Sequence, residues 1–277
     1  MTRFALMFRL PIIFWQALFF IGPLVFVVVI SFYAVRNYQM VEAFEFKSWD
    51  KMLSRSYVWD AYWRTLGLAA LTTVIASLVA FPASFYLAFR SSEAVRRWVI
   101  FFLIIPFFTS YLVRSFSWYT LLAESGVLNA ILGQVGLGPY VMLNTPFGTI
   151  VGYLTLTLPL VLILQTVSLA NIDMRLVQAA WNLGCSPLRT IWSVVLPSAR
   201  TGLMIAALFC FLLSYGDVVA PYYLGGSKPP TMPILIIDTT KAGQQWPRAA
   251  VVAVLMIVTL FMVAFTTIIL AYRRRRS

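Results

Sequence analysis

Histidine is absent from the sequence and cysteine occurs only twice, at Cys185 and Cys210, so most ligands of a structural zinc site are missing. Cys185 lies in a polar stretch and Cys210 in an apolar run, which argues against a disulfide. The chain also lacks a GxxxxGK[ST] phosphate loop, a nucleophile elbow and any cluster among its nine acidic residues. We therefore predict no catalytic residue, no metal and no cofactor on this chain, and an enzyme is disfavoured.

Charged residues are also scarce, at 11% of the chain, where a soluble domain would carry about a quarter. Apolar residues make up 61% and the mean hydropathy is +0.86. Runs of about 20 apolar residues are candidates for transmembrane helices. They cover residues 11–35, 65–89, 98–122, 147–169, 201–223 and 249–272. The sequence predicts an all-α polytopic membrane helix bundle with about six transmembrane helices, in a single domain over residues 1–277.

The distribution of charge predicts which side of the membrane each connector occupies. Six spans put both termini on one side, and the connectors of that side carry twelve arginines and two acidic residues. The connectors of the other side carry eight basic and six acidic residues. The basic excess predicts that both termini are cytoplasmic, and the terminal arginines 273–276 are suited to membrane lipid with anionic head groups. A net charge of +12 spread in this way does not indicate nucleic acid binding.

The longest polar break on the predicted cytoplasmic side, residues 171–200, has the pattern of an ordered element. Asn171 or Asp173 can cap a helix from about residue 174 to 183, which Gly184 then ends as a C′ glycine. Ser186 as N-cap and Pro187 at the first helical position predict a second, short helix. Its apolar residues at three- and four-residue spacing are Leu188, Ile191, Trp192 and Val195. A solvated linker would not need two capped helices joined by a tight turn, so we predict a docking element.

Two ionisable residues stand out within the predicted spans, Arg114 in the third and Asp217 in the fifth. A charge in a bilayer is costly, so these residues either pair or lie near the outer interface as structural features, or they line a solute pathway. Trp118 and Tyr119 follow Arg114, and Tyr215 precedes Asp217. An acid with aromatic neighbours suits an amine through charge and cation–π attraction, whereas an unpaired Arg114 would favour an anionic or zwitterionic solute.

The docking element resembles the cytoplasmic loop of ABC-importer permease subunits, whose pattern is EAA, three residues, Gly, nine residues, Ile, one residue, Leu-Pro. The sequence reads Gln178-Ala179-Ala180, Gly184, Val194 and Leu196-Pro197 at the same spacing, with Gln in place of Glu and Val in place of Ile. The Gln removes a charge and leaves a possible hydrogen bond. The stretches at 106–114, 214–217 and 224–226 make the chain similar to the spermidine/putrescine-type group of permeases.

The resemblance implies a mechanism and a set of partners. Two permease subunits form the pathway, an ATPase dimer that binds ATP and Mg docks beneath them, and a periplasmic binding protein delivers the solute. In this group the second permease is usually a different chain. Residues 178–180, Gly184, 186–188, 191–192 and 196–197 would then form the coupling surface, in a bacterial inner membrane.

The expected solute is small, polar and cationic, with a polyamine such as spermidine or putrescine in first place. Two other classes of protein stay open. An ATPase-independent carrier or channel is disfavoured by the docking element and by the few ionisable residues within the spans. A membrane-embedded enzyme is disfavoured by the missing histidines and carboxylate cluster. Whether the chain associates with an ATPase distinguishes both from the importer.

Overall fold

The fold is known from a computed structural model that describes residues 3–37 and 39–273, with side chains from residue 10 onward. Of the terminal arginines, therefore, only Arg273 is described, and the predicted lipid contact of the other three lies outside these residues.

The described chain is mostly helical. In chain order the elements are α1 Arg3–Gln16, α2 Gly22–Ile30, β1 Ala34–Arg36, β2 Gln39–Val41, α3 Lys47–Leu53, α4 Ser56–Phe89, α5 Glu93–Ile104, α6 Tyr111–Leu122, α7 Val127–Gln134, α8 Pro146–Ala170, α9 Met174–Asn182, α10 Pro187–Thr190, α11 Leu196–Gly216, α12 Val219–Tyr223, α13 Met232–Lys241 and α14 Trp246–Tyr272. The π-helical turns Ala17–Ile21 and Ile191–Val195 join α1 to α2 and α10 to α11, and the 3-10 turn Ile105–Phe108 follows α5.

Five helices in the described residues are long and apolar enough to cross a membrane, or six if one bent pair forms a single span. They are Leu10–Ile30, Ser56–Phe89, Pro146–Ala170, Pro187–Gly216 and Trp246–Tyr272, and the bent pair is Glu93–Phe108 with Tyr111–Gln134. The predicted all-α polytopic architecture is confirmed. The contacts group the chain into two compact units, residues 1–62 with 231–259 and residues 63–230 with 260–277, and the predicted single domain stays a prediction.

The first span ends earlier than the predicted residue 35. Its helix stops at Ile30, where the Ser31 hydroxyl donates to the Val28 carbonyl at 2.6 Å and the chain turns. Residues 34–36 instead pair in an antiparallel hairpin with residues 39–41, with Ala34 opposite Val41. Asn37, in the left-handed region at φ +50°, begins the turn. The predicted span ran past Ile30 because Ala34 and Val35 are apolar. These residues belong to a strand rather than to the helix.

The predicted third span, 98–122, is not one straight helix. α5 ends at Ile104, Pro106 lies in the 3-10 turn, and α6 starts again at Tyr111 after the extended residue Thr109. The two helical parts are bent by 92°. The bend has a physical cause, because proline has no amide hydrogen to donate and its ring clashes with the preceding helical turn.

The fifth predicted span, 201–223, is displaced along the chain. Its helix begins at Pro187 and ends at Gly216, so Asp217 lies after the membrane helix and before the separate helix α12. Two other helix starts also differ from the prediction. α4 begins at Ser56 rather than 65, and α14 begins at Trp246 rather than 249. The predicted 225–247 loop contains helix α13.

The unit formed by residues 63–230 and 260–277 is organised around α8 and α11. These helices approach closely at Gly202, where a Cβ atom would lie 2.1 Å from the Ser168 Oγ. α4 joins α8 through a buried polar link: the Ser84 hydroxyl donates to Gln165 Oε1 at 3.1 Å, and Gln165 Nε2 donates to the Ser77 carbonyl at 3.2 Å. Such bonds hold helices together where water cannot compete.

Candidate functional site

The predicted docking element begins with helix α9, whose two ends are fixed by local hydrogen bonds. Asp173 caps the N-terminus, because its Oδ1 accepts from the Arg175 amide at 2.9 Å. At the C-terminus the amides of Gly184 and Cys185 donate to carbonyls of the last turn, over 2.9 and 3.0 Å. This pair of bonds is a Schellman motif, and it requires a left-handed residue, which Gly184 supplies at φ +77°. The predicted helix and its glycine stop are confirmed.

The second helix of the element starts as predicted but does not end where predicted. Ser186 is the N-cap, with its Oγ accepting from the Arg189 amide at 3.4 Å, and Pro187 occupies the first turn. Instead of a short separate helix, α10 continues through the π-helical turn 191–195 into α11. Pro197 does not break the helix, because it lies in the first turn of α11, next to the π-helical turn. The docking helix and the fifth span are therefore one helix, Pro187–Gly216.

One face of the element is buried and anchors it to the bundle. Val177 and Val195 lie in a core cluster with Leu169, Ile172 and Ala199. The partly buried residues packed against this cluster are Phe81, Phe85, Ala88, Phe89 and Leu203. Because the phenylalanines come from α4 and Leu169 comes from α8, the element is held by two of the candidate spans.

The opposite face exposes large apolar side chains. Leu183 is 83% exposed, Leu188 72% and Trp192 71%. An apolar patch of this kind is covered either by the membrane interface or by a partner protein. The predicted docking residues divide accordingly. Gln178, Ala179, Gly184, Ser186, Pro187, Leu188, Trp192 and Pro197 are exposed, Ile191 and Leu196 are half-buried, and Ala180 is buried.

A small apolar cavity of about 120 Å³ lies behind the element. Its walls include Phe85 and Phe89 from α4, Trp181 from α9 and Ile191 from the π-helical turn. The half-buried Ile191 therefore faces inward rather than forming part of the outer surface. The cavity leaves space between the element and the bundle for the side chains to repack.

The two predicted intramembrane charges do not form an ion pair with each other. Arg114 Nη1 donates to the Thr155 carbonyl of α8 at 3.2 Å, and its Nε is buried without a hydrogen-bond partner among the described residues. The Asp217 carboxylate instead accepts from the Val219 and Ala220 amides, at 3.2 and 2.9 Å. Asp217 thus caps helix α12 in the manner of an N-terminal acid.

Tyr111 connects the two charges and was not selected from the sequence. Its hydroxyl lies 3.0 Å from Asp217 Oδ2 and 3.3 Å from the Gly152 carbonyl, either of which can accept its hydrogen. Its ring lies 5.9 Å from the Arg114 guanidinium carbon, within reach of a cation–π interaction. The sequence contained one signal for this contact. Tyr111 lies three residues before Arg114, and residues three apart on a helix lie on one face.

The predicted aromatic neighbours do not converge on Asp217. Tyr215 is fully buried and stacks on Phe211, with 5.4 Å between ring centroids. Trp118 packs against a core cluster of Leu122, Met142 and Leu224. Tyr119 is exposed. Of the predicted pathway residues, the structure brings only Arg114 and Asp217 together, through Tyr111. In the part of the chain that is described, no cluster of His, Cys, Asp or Glu is suited to a metal ion.

The fold and the element together define a class, a multi-pass helical membrane protein with an anchored element whose outer face is apolar. Residues 72–277 match the family described as binding-protein-dependent transport system inner membrane component, and the chain belongs to that family. It is the transmembrane subunit of an ATP-binding-cassette importer, a transport component of the inner membrane.

Comparisons with individual proteins agree with this assignment. The chain is 26% identical over 255 residues to the spermidine/putrescine transport system permease protein PotB of Haemophilus influenzae, covering 91% of this chain and 88% of that protein. It is 29% identical over 180 residues to the inner membrane ABC transporter permease protein YdcU of Escherichia coli K12, covering 60% and 58%. Its fold is similar to that of a bacterial ABC transporter that imports the acidic polysaccharide alginate, with a TM-score of 0.77 at 16% identity over 98% of this chain and 96% of that one.

Proposed function

We propose that the element 171–200 is the surface on which a separate ATPase docks, and that it passes the ATPase's movement to the membrane helices. The observation that carries this proposal is the exposed apolar face of Leu183, Leu188 and Trp192 on an element whose other face is buried. A partner with an apolar groove would bury that face, as amphipathic helices are bound elsewhere. Closure of the ATPase pair on ATP and Mg would then switch the pathway between its two states.

The proposed assembly has further components. Two ATPase subunits, a second permease of different sequence and a periplasmic binding protein complete it. The family description names a binding-protein-dependent system, which supports the last of these. Both termini would be cytoplasmic, and the excess of arginine in the connectors of that side supports this orientation.

The proposed solute is a small polar cation, a polyamine such as spermidine or putrescine. The likeness to PotB supports this class. Asp217 supplies an acidic group near the predicted outer end of the pathway, and the exposed Tyr119 supplies an aromatic ring on α6. Trp118 and Tyr215 would act by packing, since the first contacts a core cluster and the second is fully buried.

A second candidate is an anionic or zwitterionic solute, and Arg114 favours it. No carboxylate lies within 4.0 Å of its guanidinium among the described residues, and its Nε has no hydrogen-bond partner there. An uncompensated positive charge inside a bundle attracts an anionic group. Competition between spermidine and an amino-acid-like zwitterion in an uptake assay separates the two candidates.

The test of the docking proposal is co-purification from the protein's own membranes in mild detergent, with mass spectrometry of the bound proteins. The variant is Leu188→Asp, which places a charge on the exposed face without disturbing the buried one. Val141→Asp is the matched control, because Val141 is similarly exposed, at 66%, but lies in the connection between α7 and α8. Gly184→Asp is a second variant that strains the turn.

The expected result is an ATPase that accompanies the original chain and the control but not Leu188→Asp. Any second membrane subunit in the sample identifies the permease partner. If no ATPase accompanies the folded original chain, the docking proposal is wrong and an ATPase-independent carrier becomes the better description.

A further inference from the structure

The compact unit of residues 1–62 and 231–259 contains a polar cavity of about 260 Å³, far from the docking element in sequence. The β1–β2 hairpin, the start of α3 and the first turn of α14 form its walls. The charged lining residues are Arg36, Glu45, Lys47, Lys51 and Arg248. A cavity of this size holds several water-sized groups, each of which fills about 30 Å³ in liquid water.

The charge of the cavity is strongly unbalanced. Four of the lining side chains are basic and one is acidic. The acid, Glu45, is paired with Arg36 at 3.3 Å. The other basic side chains, Lys47, Lys51 and Arg248, have no carboxylate within 4.0 Å in the described part of the chain. Like charges that share a cavity repel one another, and an anion between them removes that repulsion.

Arg248 adds to this imbalance through its position. It is the third residue of α14, which begins at Trp246. A basic side chain in the first turn of a helix lies at the positive end of the helix dipole, which is unfavourable unless a negative group is near. Arg248 is half-buried, so the residue is not fully exposed to solvent.

Exposed aromatic residues place the cavity at the edge of a membrane. Phe44 is 78% exposed and Phe46 is 72% exposed, on either side of Glu45. Their rings pack edge to face on Tyr33 and Phe32 and are held outward. The candidate spans α2 and α14 end and begin beside the cavity, at Ile30 and at the exposed Trp246. Aromatic side chains at the ends of spans lie at the level of lipid head groups.

We propose that this cavity binds the phosphate of an anionic phospholipid head group. The basic side chains select a phosphate, and the flanking phenylalanines insert beside the acyl chains. A cationic solute is excluded from the cavity by the same charges. The site does not depend on which solute is transported or on whether an ATPase binds.

The test uses the purified full chain in detergent, depleted of lipid and then titrated with phosphatidylglycerol, with bound lipid counted by native mass spectrometry. Lys51→Gln and Arg248→Gln each remove one cation from the cavity. Lys228→Gln is the control, because it removes the same charge from an exposed lysine of the loop before α13. Lys51→Arg keeps the charge and serves as the rescue variant. Circular dichroism verifies that each variant is folded.

We expect each cavity variant to weaken phosphatidylglycerol binding by about five- to tenfold, the effect of one partly exposed charge-assisted hydrogen bond. The control and Lys51→Arg should bind as the original chain does. Equal binding by all variants overturns the site. Equal binding of phosphatidylcholine overturns the selection for an anionic head group. If inorganic phosphate displaces phosphatidylglycerol at equal concentration, the lipid is not the source of the anion and the proposal fails.

Discussion

Tyr111 and Asp217 are 106 residues apart in the chain, yet the Tyr111 hydroxyl lies 3.0 Å from Asp217 Oδ2. The contact joins the first residue of α6 to the residue that follows α11. Because the hydroxyl is a donor to an acid, the bond is of the charge-assisted kind when Asp217 is ionised. The bond therefore links the bent third predicted span to the end of the fifth predicted span.

Removing the Tyr111 hydroxyl should therefore destabilise the protein. We expect Tyr111→Phe to lower the free energy of unfolding by about 1–3 kcal/mol, the usual effect of losing one partner of such a bond. Unfolding in mixed detergent measures this. Tyr119→Phe is the matched control, because Tyr119 is exposed on the same helix and no described hydrogen bond involves its hydroxyl. Equal stability of the two variants would show that the Tyr111–Asp217 bond contributes nothing.

Changing Asp217 to asparagine separates its charge from its role as a cap. The Val219 and Ala220 amides donate to different carboxylate oxygens, Oδ1 and Oδ2, so the single oxygen of asparagine can keep one of these two bonds. We expect α12 to stay folded on that remaining cap bond. The lost charge should reduce polyamine uptake by about tenfold, since one charge-assisted contact to an amine is worth roughly that factor. Uptake of labelled spermidine over a concentration series measures it. Unchanged uptake with an unchanged concentration dependence would exclude Asp217 from the pathway.

The contact between α8 and α11 depends on the missing side chain of Gly202. An added Cβ would lie 2.1 Å from Ser168 Oγ and 2.5 Å from Ser168 Cβ. We expect Gly202→Ala to cost about 1–3 kcal/mol through overpacking. The double variant Gly202→Ala/Ser168→Gly should recover part of this loss. Gly67→Ala is the control, because nothing lies within 4 Å of its added Cβ, and it should be neutral or mildly stabilising. A neutral Gly202→Ala would mean that the helices separate easily.

The last turn of α14 is held by α11. Arg200 Nη2 donates to the Leu270 carbonyl at 2.6 Å, and the Thr201 hydroxyl lies 3.4 Å from the Ala271 carbonyl. These carbonyls have no partner within their own helix end. Arg200→Gln should speed amide hydrogen exchange in residues 268–272 by about three- to tenfold. Arg189→Gln, which changes an exposed arginine, should leave that exchange as it is. An unchanged exchange rate in Arg200→Gln would show that other contacts hold the end of α14.

The helical class, and the caps and glycine stop within residues 171–200, were predicted well because they depend on local patterns. Apolar runs report burial in lipid, and Asp173, Gly184 and Ser186 act through bonds to residues only a few positions away. The hairpin after Ile30 was missed because alanine and valine suit a helix in lipid as well as a strand.

The polar site was harder to predict because it is built from distant residues. Arg114 and Asp217 stood out as rare charges, but whether they pair depends on the bend at Pro106 and on the end of α11 at Gly216. Both features bring Tyr111 between them, and the aromatic residues nearest in sequence face elsewhere. Neighbours in sequence were a poor guide here, because adjacent positions on a helix point in different directions.

The uninterrupted helix from Pro187 to Gly216 has 30 residues, which at about 1.5 Å each makes a rod some 45 Å long. Leu188 and Trp192 lie at one end, and Asp217 follows the other directly. The π-helical turn Ile191–Val195 adds about one residue to the winding of this rod, equivalent to a rotation of roughly 100°. This π-helical turn therefore sets the angle, about the helix axis, between the apolar face of Leu188 and Trp192 and the Tyr111–Asp217 contact. Deleting one residue of this turn would leave both ends of the helix intact but rotate one end relative to the other about the helix axis.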